Sequence, residues 1–225
     1  SMEELLQTRH QIQRANQTLN QIPAWSQHHS QAVALRQTNQ THLTAIEQML
    51  AIEQRAQTAL QKSQTSVKAI SDWRSTQMLW QQVIAEVSGI SPSSPVFAYA
   101  QQQLPGYRQQ LAGVNRAIAA EQKAQQALKT AKSTASLAQT RQGMAQSLES
   151  LQKVQATWQV AINRLREIPN TTTSFAEAQP LLTNYGTRLS LIRDRVAQEQ
   201  VSLKTYRRAL GLAQKAQAAQ QQQKW

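Results

Sequence analysis

The sequence has no cysteine, which excludes a disulfide scaffold, a thiolate metal site and a cysteine nucleophile. Aromatic residues make up 5% of its 225 residues, so few large rings are available for a core. No run approaches the ~20 apolar residues that a membrane-spanning helix needs. Glycine and proline occur six times each and lie at a few places only. Long stretches are therefore free to form regular structure.

Acidic residues are also scarce, with 12 Asp and Glu against 24 Lys and Arg, which leaves a net charge of +12. Catalysis usually needs converging titratable groups, and no metalloprotease, phosphate-loop, nucleophile-elbow or calcium-loop motif is present. We predict that the chain is not an enzyme and has no catalytic, cofactor or metal residues. A metal site of His28 or His29 with Glu47 or Glu53 is the alternative, and solvated histidines are the preferred interpretation.

Alanine and glutamine are abundant, both favour helices, and no run is typical of a strand. The chain also repeats itself without a gap over the stretch that begins at Trp80 and recurs from Trp158. Trp80, Val87, Ile90, Phe97, Tyr107, Leu111 and Glu121 recur as Trp158, Leu165, Ile168, Phe175, Tyr185, Leu189 and Glu199. Self-similarity at a fixed spacing is the signature of a tandem repeat protein.

A more diverged copy precedes these two at a shorter spacing, so that Ile22-Pro23 corresponds to Ile90-Ser91. The predicted organisation is the second half of a first repeat at 1–24, repeats at 25–92 and 93–170, and a partial repeat with a polar tail at 171–225. The Ser1-Met2 start is typical of a tag remnant, and we expect the natural chain to begin earlier.

The apolar stripe changes phase within each copy, near residues 62–66 and again near 139–143. A straight helix does not change phase without a break or a stutter. We therefore predict an elongated all-α fold of tandem long helical hairpins, packed like an antiparallel coiled coil. The alternative is an unbroken helix of about 70 residues from one proline turn to the next.

Glutamate recurs at one position of the seam, the stripe of core-facing residues, as Glu53, Glu121 and Glu199. We interpret it as a partnered, register-setting polar layer, with a repeated ligand site as the alternative. The repeated tryptophans and tyrosines are predicted core anchors. Trp25, Trp73 and Trp225 do not all fit a core, which leaves an exposed indole for a partner.

The basic residues are densest near the carboxyl end. Arg193, Lys204, Arg207 and Arg208 share one sector of a helix, which we call the basic sector. An anionic partner could bind there through release of counterions. A solvated basic face is the simpler interpretation, and no pattern of base-reading residues accompanies it.

The third copy resembles a repeat of cyanobacterial proteins. The residues that carry the resemblance are Ala138-Gln139-Thr140, Trp158, Ala161-Ile162, Leu165, Ile168-Pro169, Phe175, Ala178-Gln179, Tyr185 and Leu189. The middle copy departs from the pattern with Ser91 in place of the proline, and the third has Leu151 where Trp73 stands. The resemblance implies an all-helical repeat region of unknown function, often beside a membrane anchor, without enzymatic activity.

These observations predict a non-enzymatic helical scaffold or protein-interaction domain that self-associates, as a dimer in the simplest case. A binder of anionic surfaces, either acidic membrane or nucleic acid without sequence specificity, is the first alternative. The second is an accessory helical domain of a larger cyanobacterial protein tied to the envelope or to mineral formation. The sequence leaves the protein partner and the compartment open.

Overall fold

The computed structural model describes residues 2–64 and 67–222, and this part of the chain is all-α, as predicted. It contains six helices and no strand within those ranges. The helices are α1 (Met2–Leu19), α2 (His29–Gln64), α3 (Ile70–Ser88), α4 (Phe97–Met144), α5 (Leu148–Arg166) and α6 (Ser174–Gln222). Short helices of 18 or 19 residues alternate with long ones of 36 to 49 residues.

Three turns lead from a short helix into the next long one, and they have the same backbone hydrogen bonds. Ile22, Ile90 and Ile168 each donate to the carbonyl three residues earlier, at 3.2 to 3.3 Å. The same i to i−3 bond recurs four residues later, from Ser26, Ser94 and Thr172. The repeat is therefore present in the backbone as well as in the sequence, and the predicted boundaries at 24/25, 92/93 and 170/171 fall within these turns.

Each long helix that precedes α3 or α5 ends before it, so hairpins form and the unbroken-helix alternative is wrong. α2 ends at Gln64, within the predicted range of 62–66, whereas α4 ends at Met144, just past the predicted range of 139–143. Serine and threonine do not end these helices, because Ser63 and Thr140 donate to the carbonyl four residues earlier. The second break follows at 145–147, where Ser147 caps α5 by accepting from the Ser150 amide. Thr65 and Ser66, in the first predicted break, lie outside the described residues.

The unequal spacing of the copies has a structural cause in the lengths of the long helices. α2 has 36 residues and α4 has 48 residues, and the turn that follows α4 is the shorter of the two. The tryptophan-bearing helices α3 and α5 are therefore farther apart in sequence than the starts of α2 and α4 are. The middle copy thus carries extra helix, about three turns, before its hairpin closes.

The chain forms two compact units, Ser1–Ala119 (unit 1) and Ala120–Trp225 (unit 2), and the division falls inside α4. The core of unit 1 surrounds Trp80 and Tyr107, whose ring centroids lie 5.9 Å apart. The core of unit 2 surrounds Trp158 and Tyr185, at 5.3 Å. Trp80 and Trp158 are 2% and 0% exposed, which confirms the prediction that these indoles are core anchors.

Trp158→Ala should lower the free energy of unfolding by about 3–5 kcal/mol, because it leaves a large cavity in the core of unit 2. Val160 lies two residues away on α5 and is 48% exposed, so Val160→Ala should change the free energy of unfolding by less than about 0.5 kcal/mol. Urea unfolding followed by circular dichroism measures both. A loss below about 1 kcal/mol for Trp158→Ala would contradict the assignment of this indole to the core.

Candidate functional site

The seam glutamates occupy equivalent places in sequence and acquire different partners in the structure. Glu121 is 1% exposed, and its carboxylate accepts the Thr173 amide at 3.0 Å and the Thr173 hydroxyl. Thr173 directly precedes α6, so the carboxylate satisfies an amide that the helix leaves unbonded. A negative charge there also suits the positive end of the helix dipole. Glu121 therefore serves as a structural cap of α6.

Glu53 is 9% exposed and accepts a hydrogen bond from the Tyr99 hydroxyl at 2.8 Å. It cannot copy the cap of Glu121, because the residue equivalent to Thr173 is Pro95, which has no amide hydrogen. Burial raises the pKa of Tyr99, and the bond to Glu53 raises it further. Tyr99 is therefore a neutral donor at physiological pH.

Glu199, the third seam glutamate, lies half-buried in α6. Its equivalence to Glu53 and Glu121 holds when positions are counted from the start of each long helix. The number of residues from Glu121 to Trp158 is larger than the number from Glu53 to Trp80, because α4 is the longer helix. The repeated ligand site that was the alternative interpretation would therefore have a different environment at each copy.

Glu53 borders a cleft of about 230 Å³ in unit 1, formed by α2, α3 and α4. The indole of Trp80 and the hydroxyl-bearing ring of Tyr107 form part of its wall. The Tyr107 hydroxyl is buried beside the Glu53 carboxylate, too poorly aligned for a hydrogen bond of good geometry. Burial raises the pKa of Tyr107, and its weak hydrogen bonding to Glu53 and the charge of that carboxylate add to the rise. The cleft thus combines a carboxylate, a neutral phenol and an aromatic face, a set that suits a cation.

The basic sector lies on α6, and all four of its side chains are exposed. Arg193 donates to the Gln159 side chain of α5 at 3.1 Å. Lys204, Arg207 and Arg208 lie beyond Val196, the last buried residue of the helix within the described part of the chain. On a regular helix Arg207 lies about 40° from Leu203, whereas Lys204 and Arg208 lie about 100° and 140° from it. The structure therefore brings the predicted residues to one side of one helix, next to its apolar face.

The apolar face of α6 continues past its last buried residue, a feature that sequence reasoning missed. The chain was predicted to finish in a polar tail, and α6 remains helical to Gln222. Leu203 is half-buried, and Tyr206 and Leu210 are 64% and 45% exposed. The repeat that matches Trp80 with Trp158 could have found this face, because it places Tyr206 at the position of the buried Leu128.

The remaining tryptophans differ in their surroundings. Trp25 is 87% exposed in the turn after α1, whereas Trp73 is 8% exposed and lies in the core of unit 1. Lys68 lies 4.3 Å above the Trp73 ring. Trp225 lies outside the described residues. Of the two indoles in this group that the structure describes, Trp25 is therefore the free one.

The histidines form local contacts. His29 lies 3.3 Å from the Ile22 carbonyl, and His28 contacts the Gln27 side chain. In residues 2–64 and 67–222, no three His, Asp or Glu side chains gather as metal ligands. Nor does any helix in this part of the chain have the length and apolarity needed to cross a membrane.

No protein-family model matches the chain, and no curated protein and no solved structure matches it either. The internal repeats therefore provide the comparison: each copy indicates what the others have gained or lost. The resemblance to the cyanobacterial repeat stays a prediction.

Glu121→Ala should destabilise unit 2 by about 1–2 kcal/mol, because it removes the acceptor of the Thr173 amide at the start of α6. Glu199→Ala removes a carboxylate at the equivalent seam position without uncapping a helix, and should cost less than about 1 kcal/mol. Thermal unfolding of the two variants measures both losses of stability. Equal losses would refute the capping role of Glu121.

Proposed function

We propose that this chain is a non-enzymatic helical-repeat scaffold that associates with itself head to tail. The observation that carries the proposal is the uncovered apolar face of α6, at positions that are buried in the preceding copy. The chain's own repeats indicate the kind of helix that such a face takes, as the next paragraphs set out.

The second half of α4 is covered by the short helix α5. The α4 residues that pack into the core of unit 2 with α5 are Leu128, Ala131, Ala135 and Ala138, each no more than 8% exposed. The equivalent residues of α6 are Tyr206, Ala209, Ala213 and Ala216, and all four are exposed. Small residues at these positions allow a second helix to approach closely. α6 therefore presents a groove for a short helix without one in place.

The short helix α1 has an uncovered face that would fit this groove. The face of α3 that packs into the core of unit 1 comprises Thr76, Trp80, Val83 and Val87, each no more than 2% exposed. The equivalent residues of α1 are exposed or half-buried, namely Thr8, Ile12, Ala15 and Leu19. α1 packs against α2, the long helix that follows it, as α5 packs against α6. The uncovered face of α1 is therefore the one that would contact a preceding long helix.

A second copy of this chain fits both faces at once. Its α1 would lie along α6 as α5 lies along α4, antiparallel, as helices joined by a short turn are. Full burial of one Leu- or Phe-sized side chain is worth about 1.5–3 kcal/mol. Tyr206, whose equivalent Leu128 is 8% exposed, is the large side chain of α6 that this contact buries. Because the two faces differ, the contact is heterologous and is repeated from copy to copy.

Ala15→Glu and Tyr206→Glu should each abolish self-association, because each places a charge at an exposed position whose equivalent, Val83 or Leu128, is buried. Leu191→Glu is the matched control, since Leu191 is a 61%-exposed leucine of the same helix, away from the seam. Light scattering coupled to size exclusion, over a range of concentrations, gives the mass of each variant. The wild type and the control should form concentration-dependent oligomers, and the two seam variants should be monomers.

Mixing the two seam variants tests the head-to-tail geometry. Ala15→Glu retains an intact α6 face and Tyr206→Glu retains an intact α1 face, so an equimolar mixture should form a one-to-one heterodimer. In a symmetric pairing of two α6 helices, Ala15→Glu would still self-associate and the mixture would gain nothing. A wild type that stays monomeric at all concentrations would contradict the proposal.

A second candidate function is binding to an anionic surface. Lys204, Arg207 and Arg208 are exposed on one side of α6, beside a stretch of apolar face. Opposite charge would attract this side to acidic lipid or to nucleic acid, and salt would weaken the attraction.

Replacing Lys204, Arg207 and Arg208 by glutamine should reduce binding to anionic vesicles and to duplex DNA, and should lower the slope of log affinity against log salt by about 2 to 3. The matched control replaces three other exposed cations, Lys123, Lys129 and Arg166. Co-sedimentation and mobility shift at two salt concentrations measure the two ligands. Equal effects of both triple variants would indicate net charge alone, without a basic site on α6.

A further inference from the structure

The cleft of unit 1 holds a buried carboxylate without a basic partner. In the described part of the chain, the ion pairs involve Glu86, Glu149, Glu167 and Glu177, and none involves Glu53. Tyr99 supplies one hydrogen bond, whereas a carboxylate can accept about four. A buried carboxylate is stable when it is paired. Glu53 therefore retains the acceptor capacity to bind the N–H donors of a cation.

A second polar group lies on the same cleft. The Tyr107 hydroxyl is buried beside the Glu53 carboxylate, in a side chain that is 7% exposed, and it has no hydrogen bond of good geometry. A neutral phenol oxygen accepts a hydrogen bond from an N–H group. Buried polar groups are ordinarily bonded to protein or to water, so each exception calls for an explanation. A ligand with several N–H donors would satisfy Tyr107 and Glu53 together.

Unit 2 indicates which cation suits this place. There the guanidinium carbon of Arg188 lies 5.7 Å from the centre of the Trp158 ring. The equivalent residue in unit 1 is Gln110, which borders the cleft beside Trp80. Thus the later copy carries its own guanidinium at the tryptophan. The earlier copy has a neutral amide at that position, together with a carboxylate and an open cleft.

We propose that the cleft bounded by Glu53, Trp80 and Tyr107 binds a guanidinium group supplied from outside the chain. The carboxylate of Glu53 pairs with the fork of N–H donors, the Tyr107 hydroxyl accepts another N–H, and the indole of Trp80 supplies an aromatic wall. The volume of about 230 Å³ suits a group the size of an arginine side chain. Guanidinium is favoured over ammonium because its plane stacks on aromatic rings and its fork matches a carboxylate.

The backbone of α4 allows the site to be blocked without damage to the fold. Gly106 lines the cleft, and a Cβ at this position meets nothing within 4 Å. Gly106→Leu should therefore fill the cleft, and leucine also favours the helix more than glycine does. Gly143, near the end of the same helix, likewise has open space around it, so Gly143→Leu is the matched control.

The experiment is isothermal titration of the full chain with N-acetyl-arginine methylamide. The citrulline analogue is a neutral control of nearly the same shape, and the lysine analogue tests ammonium. We expect saturable binding of the arginine compound, about tenfold weaker binding of the lysine compound and none of the citrulline compound. Gly106→Leu should abolish binding, Glu53→Gln should weaken it about tenfold or more, and Gly143→Leu should leave it within about twofold.

Two outcomes would overturn the site: equal binding of the citrulline compound, or unchanged binding by Gly106→Leu. Absence of any saturable binding of the arginine compound at about 10 mM would also overturn it. Should Glu53→Gln fail to fold, Gly106→Leu still decides. A short arginine-containing peptide added as a third ligand identifies the source. Tighter binding than the methylamide indicates an arginine of a partner protein, and equal binding indicates a free guanidino compound; either result supports the site.

Discussion

The contact on which the rest of this structure depends is that of one tryptophan of a short helix with the two long helices beside it. Trp158, on α5, packs against Tyr185 of α6, and its indole N–H lies 3.4 Å from the Gln142 side chain of α4. Trp80 makes the same set of contacts one copy earlier, with Tyr107 and with the Ser63 hydroxyl at 3.1 Å. Because alanine seams bury little area per residue, these indoles account for much of the apolar surface that each hairpin removes from water.

A tryptophan in this position joins a hairpin to the long helix of the next copy. The short helix of each copy thus packs between the long helix before it and the long helix after it. α1 lacks the first of these contacts, and the end of α6 lacks a short helix, so each has an uncovered face. The tryptophan packing is the same in both units, whereas the partners of the seam glutamates differ. Glu121 caps α6, whereas the proline at the corresponding turn leaves Glu53 bonded to Tyr99 and beside an open cleft. One repeat thus provides a structural carboxylate in one copy and a candidate binding site in another.

Much of this fold could be predicted from the residues, because the repeat itself is visible in the sequence. The recurrence of Trp80 as Trp158, and of Ile22, Ile90 and Ile168 before the turns, located the core and the ends of the short helices. The break after α4 was placed a few residues too early, because the Thr140 hydroxyl bonds back to its own helix and does not end it. The partners of the glutamates could not be predicted, since they depend on contacts with residues that are distant in sequence.

Amide hydrogen exchange along α4 and α6 tests most directly whether a short helix is what covers each long one. In dilute protein, residues 128–138 of α4 should exchange slowly, and the equivalent residues 206–216 of α6 should exchange much faster. Raising the protein concentration should slow exchange at 206–216 while 145–147 stays fast, because a second copy then covers α6. Slow exchange at 206–216 in dilute monomer, or no change with concentration, would contradict the account.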